Sequence, residues 1–71
     1  MNNRQLGNRI QKLRKEKRLT QDEMAAQLQT RGVDISRGTY SKIETGIRKV
    51  SVQELKAIKA ILKTEWTDLL D

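Results

Sequence analysis

The chain has 71 residues, with fifteen Lys and Arg against nine Asp and Glu for a net charge of +6, and it contains neither Cys nor His. A chain this short buries only about 60% of its unfolded surface and builds no deep substrate cleft; without Cys or His it has no disulfide, no thiolate metal site, and neither the commonest general base nor the commonest zinc ligand. No apolar run approaches the ~18 residues of a membrane span, and the N-terminus MNNRQLGNRI lacks the apolar core of a signal peptide, so a cytoplasmic protein is expected.

Pro is absent and β-branched alternation is scarce, which points to helices throughout. Leu6, Ile10 and Leu13 recur at helical spacing in an otherwise polar run, predicting a first helix over roughly 4–17. Thr20, with Glu23 three places on, forms a capping box for a second helix whose inner face is Met24, Ala25 and Leu28; it runs to about 30 and Gly32 stops it. GVDIS is a short extended link whose Val33 and Ile35 tuck inward. Ser36 is the N-cap of a third helix reaching Thr45, and Gly46 falls where a left-handed C-cap sits. Ser51 and Glu54 form another capping box, opening a fourth helix with Val52, Leu55, Ile58, Ile61 and Leu62 facing inward. Thr64 to Leu70 make a last short helix that contributes Trp66, Leu69 and Leu70. The expected fold is all-α, a compact bundle of five short helices forming a single domain over residues 1–71.

The charge is uneven. Residues 1–50 carry twelve basic and five acidic groups, a balance of +7, whereas residues 51–71 carry three and four, a balance of −1. A field this lopsided favours a polyanionic partner, although a merely solvated surface has the same composition. On the third helix, Tyr40, Ile43 and Ile47 follow i, i+3, i+7 toward the core, leaving Arg37, Gly38, Ser41, Lys42 and Thr45 on the other side. That outer face holds no acid and no bulky hydrophobe. Gly in a first turn costs roughly 1 kcal/mol of helix propensity. A helix pressed against a groove has a use for so small a residue; one facing only water does not.

Three stretches in order, NRIQKLRKEKRLTQDEMAAQL, ISRGTYSKIETG and SVQELKAIKAILKTEWTDLL, carry a resemblance to the phage-repressor and Cro-like (XRE-type) helix-turn-helix family over about residues 4–70. The resemblance implies a lambda-repressor-like domain and a sequence-specific double-stranded DNA-binding transcriptional regulator, a repressor by preference. It implies that the second helix crosses the DNA backbone, with Gln21 touching a phosphate, and that the helix opening at Ser36 enters the major groove by its N-terminal end. Base-reading then falls to Arg37, Gly38 and Lys42, and backbone contacts to Thr39, Ser41, Arg48 and Lys49. Arg14 and Glu44 match a pair that forms a buried ion bridge between the first and third helices. Two features depart from the pattern. Seven residues, QTRGVDI, separate Leu28 from Ser36, several more than the usual turn, and Tyr40 stands where an aliphatic residue is usual.

Asp22 with Glu23, and Glu65 with Asp68, are the acidic clusters, and helix-dipole and capping roles suffice for both, so no catalysis is expected. No Gly-rich phosphate cradle is present, and no cofactor or metal is expected. Three apolar residues on the first helix make too narrow a face for membrane binding. Tyr40 and Trp66 are the only aromatics and lie outside the basic run, which argues against single-strand stacking. The expected partners are a pseudo-palindromic operator duplex and a second copy of the chain. The latter is bound weakly through the nearly neutral C-terminal helices, where Val50, Val52, Trp66 and Leu70 offer spare apolar surface. The alternative is an antitoxin or interaction subunit acting through a protein partner; an antitoxin would carry a toxin-binding segment beyond these residues.

Overall fold

Each long helix begins where a side chain can take up the free N–H groups of its first turn. In the computed structural model, which describes residues 1–70, these helices are α1 (Asn3–Glu16), α2 (Gln21–Thr30), α3 (Arg37–Thr45) and α4 (Val52–Leu62), followed by the single-turn α5 (Trp66–Leu70). Thr20 and Glu23 cap α2 reciprocally, and Ser51 and Glu54 do the same for α4. Asn2 and Gln5 form a third such box on α1, with the Asn2 side chain accepting from the Gln5 N–H at 2.8 Å. Each cap stabilises its helix by about 1 kcal/mol.

The long α2–α3 connection is resolved by helix extension. Beyond Leu28, α2 continues to Thr30, and Gly32 turns the chain in the left-handed region at φ +84°. Val33 donates its N–H back to the Leu28 carbonyl at 2.9 Å, and the Gln29 amide donates to the Ile35 carbonyl at 2.8 Å. Val33 and Ile35 are both buried, so the link is pinned at two points to the core.

That core is one cluster. Ile10, Met24, Leu28, Tyr40, Ile43, Ile58, Leu62 and Leu69 are buried in it, with Leu6, Leu13, Leu19, Val50 and Leu55 packed around its edge. α1 crosses α3 closely enough that only glycine fits at position 7: a Cβ there would lie 2.4 Å from the Ile43 carbonyl oxygen and 2.5 Å from that of Glu44.

The structure corrects several burial expectations. Ile47 is 77% exposed, because Gly46 enters the left-handed region at φ +81° and ends α3 before the helical period can carry Ile47 inward. Val52 is 71% exposed, because the buried stripe of α4 begins at Glu54 and continues through Ile58, Ile61 and Leu62. Trp66 and Leu70 are only partly covered, and Leu69 is the residue of α5 that enters the core. α5 also starts two residues later than expected, since Thr64 and Glu65 form the turn before it, both donating to the Asp68 carboxylate, at 3.1 and 3.3 Å. The Lys59 ammonium lies 5.2 Å from the centre of the Trp66 ring, within cation–π range.

Candidate nucleic-acid interface

The outer face of α3 is built by subtraction. α2 and α4 carry a Glu as the third residue of their capping boxes, whereas α3 has Thr39 there, its N–H capped by the Ser36 hydroxyl at 3.1 Å. No acid stands in the first turn of α3, so no side chain of that helix offsets the positive end of its dipole. Arg37, Gly38, Lys42 and Thr45 are exposed on this face, with Thr39 and Ser41 half-buried beside them. A Cβ built at Gly38 would meet nothing within 4 Å, so no neighbour in the fold requires glycine there. Two substitutions with opposite outcomes follow from the glycines. Gly38→Ala should raise stability by up to about 1 kcal/mol while weakening duplex binding. Gly7→Ala forces α1 from α3 and should lower stability by about 1–3 kcal/mol. Thermal melts and a binding titration of both variants check this.

A buried polar cluster holds that helix in place. Glu44, 1% exposed, accepts from Arg14 Nε at 2.6 Å and Arg14 Nη2 at 3.2 Å, from Gln21 Nε2 at 3.0 Å, and from the Tyr40 hydroxyl. Arg14 also donates through Nη1 to the Leu19 carbonyl at 2.6 Å, which fixes the α1–α2 turn. One carboxylate thus joins α1, α2 and α3, and no buried side-chain nitrogen or oxygen among the described residues lacks a partner. Burial pushes the Glu44 carboxyl up, but hydrogen bonds from Arg14, Tyr40 and Gln21 outweigh it and hold the group below the usual glutamate range. Burial also pushes the Tyr40 phenol far up, and its hydrogen bond to Glu44 adds to that, so Tyr40 stays a neutral donor. The departure from an aliphatic residue at position 40 therefore has a structural use: the ring fills the core and the hydroxyl satisfies Glu44.

The other residues expected to make contacts come from α2 and from the loop after α3. Gln21 sits at the start of α2 with its side-chain amide turned inward to Glu44. Arg48, in the loop after α3, donates to both carboxylate oxygens of Glu54, at 2.9 and 2.7 Å, tying the loop to the first turn of α4. This hydrogen-bonded pairing, aided by the Ser51 N–H, holds the Glu54 carboxyl down, and it is why an acid can occupy the inward position on α4. Lys49 is exposed and makes no ion pair among the described residues. Arg37 lies near Asp22 of α2, with 3.6 Å between Nε and Oδ1.

The pattern of the Helix-turn-helix family matches residues 10–69, from the middle of α1 into α5. The chain belongs to that family. It is 44% identical over 64 residues to Control protein C.MunI of Mycoplasma sp, an alignment that covers 89% of this chain and 80% of that protein. No solved structure matches it. As a helix-turn-helix protein it is a DNA-binding transcriptional regulator, of a family that binds double-stranded DNA and is regulatory rather than enzymatic. No helix among the described residues is long and apolar enough to cross a membrane.

The Glu44 cluster lies where α1, α2 and α3 meet. Three side-chain contacts differ in how far the sequence announces them. Tyr40 and Glu44 stand four residues apart on one helix, a spacing that could have been read as a side-chain pair. The Arg48–Glu54 pair had a weaker signal, a basic residue placed shortly before a capping glutamate. The approach of Asp22 to Arg37 is purely tertiary and left no local trace.

Proposed function

We propose that this regulator reads the major groove of a near-palindromic operator with the N-terminal end of α3, as a symmetric dimer, and acts as a repressor. The observation that carries the reading is the outer face of α3: basic, free of acid, sparse in side-chain bulk at Gly38, and held rigidly from behind by Glu44. Arg37 and Lys42 are the base-reading side chains, and Gly38 lets the helix approach closely. Thr39, Ser41, Gln21, Lys49 and Arg48 supply contacts to the backbone, Gln21 and Arg48 with the hydrogens that Glu44 and Glu54 leave free. Repression needs nothing beyond occupancy of the operator. Residues 1–71 act as one domain without catalysis, and a transcriptional regulator of this family acts in the cytoplasm.

One α3 spans too few base pairs to mark a site in a genome, and two-fold symmetry doubles the reading, with half-sites about 34 Å apart. Support for the dimer comes from the nearly neutral C-terminal third, where Val52, Trp66 and Leu70 leave apolar surface uncovered. Selection of random duplexes on the purified protein tests the reading. A two-fold symmetric consensus is expected, with binding second-order in protein. With about five or six phosphates neutralised per protomer, log K against log[salt] should fall with a slope near −0.9 per phosphate. Salt-independent binding, equal affinity for single strands, or footprints covering one half-site would overturn it.

A further inference from the structure

We propose that Asp22 is a positioning residue for base recognition: from the first turn of α2 its carboxylate lies beside the Nε edge of the Arg37 guanidinium and biases it away from non-operator phosphates. The proposal deepens the reading of α3 given above and rests on Arg37 facing bases.

Asp22 is an acid in an awkward place. It stands on the helix whose N-terminal end approaches the DNA backbone, so its charge opposes any duplex. Its neighbour Glu23 is engaged in the capping box, accepting the Thr20 N–H at 2.8 Å, and Asp22 takes no part in that box. Among the described residues its ion-pair partner is Arg37, at 3.6 Å between Oδ1 and Nε. That distance exceeds a hydrogen bond, and both side chains are well exposed, at 79% for Asp22 and 63% for Arg37. The contact therefore biases the arginine without locking it.

The direction of the bias matters. A carboxylate beside Nε leaves both terminal nitrogens free, and these can donate in parallel to the two acceptors of a guanine edge. An arginine swinging to a phosphate must leave the carboxylate, and the phosphate then meets the unpaired Asp22 charge. On guanine the pair persists. Asp22 thus penalises the wrong partners more than the right one, which is how discrimination gains even as total affinity falls. The competing account is a helix-dipole role for an acid in a first turn, and that would leave base preference untouched.

The test uses the full chain with Asp22→Asn, which keeps size and removes charge, and Asp22→Ala as a second substitution; thermal melts establish that both fold. Affinities are measured for the selected duplex, for a scrambled duplex of the same composition, and for duplexes varied at the base pair whose preference Arg37→Ala relaxes. Scrambled-duplex binding should tighten roughly two- to fivefold, the range of an exposed ion pair, with selected-duplex binding changing less and the base preference relaxing. In an Arg37→Ala background, removal of the Asp22 charge should no longer alter that preference. An equal change on both duplexes, in either direction, overturns the proposal while leaving α3 as the reader. An Arg37→Ala variant with intact base preference overturns the reading of α3 and the proposal with it.

Discussion

Replacing Glu44 by Ala is expected to lower stability by about 3–5 kcal/mol, because it leaves the buried Arg14 charge without its partner. A 71-residue domain has about 4–11 kcal/mol in all, so the variant should lose a large share of its stability and melt well below the wild type. A double-mutant cycle on Arg14 and Glu44 separates the pair from its surroundings. Strong coupling is expected, since Arg14 meets both carboxylate oxygens and spends its remaining terminal nitrogen on the Leu19 carbonyl. Coupling near zero would reduce the pair to a surface contact worth at most ~1 kcal/mol. Tyr40→Phe removes one hydroxyl donor to a charged acceptor and should cost about 1.5–3 kcal/mol.

The same cluster sets an acid limit. The folded-state pKa of Glu44 lies below its unfolded value, so its stabilisation is complete above the ordinary glutamate range and is lost as pH falls through the folded pKa. Glu54, lowered mainly by its hydrogen bonds from Arg48, contributes with the same sign. Urea melts taken from neutral pH downward should show the wild type losing stability at acid pH more steeply than Glu44→Gln, because Glu54 titrates in both and the difference isolates Glu44.

The helices were legible because their signals are local. Thr20 with Glu23, Ser36, Ser51 with Glu54, and Gly46 each mark a boundary within a few residues of chain, and each stands at that boundary in the fold. Burial was legible only as far as a helix continues. The spacing that placed Ile47 inward assumed a period that Gly46 interrupts, and Val52 lost its place to Glu54 because a neutralised acid can be buried. The Arg14–Glu44 pair was foreseen only through family resemblance, as thirty residues separate its members. The extra residues between α2 and α3 could be counted, but their path depends on Gln29 reaching the Ile35 carbonyl, which no local pattern announces.

Arg37→Ala and Lys42→Ala should each cost about 1–3 kcal/mol on the selected duplex and relax preference at the base pair each one reads. Both side chains are exposed on the acid-free face of α3, so neither truncation disturbs the core, and melting temperatures should stay close to the wild type. Lys49→Ala should instead weaken all sequences about equally and flatten the salt slope by about one unit, the loss of one phosphate contact. Arg48→Ala combines two effects. It removes a cation from the loop and also leaves Glu54, 8% exposed, without the guanidinium that neutralises it, so a lower melting temperature should accompany weaker binding. Lys49 is therefore the cleaner probe of backbone clamping. Arg48→Lys tests the anchor, since an ammonium cannot reproduce the paired donors that meet both Glu54 oxygens. If Arg37 and Lys42 behave like Lys49, lowering affinity uniformly without moving base preference, then α3 binds the backbone and another element reads the operator.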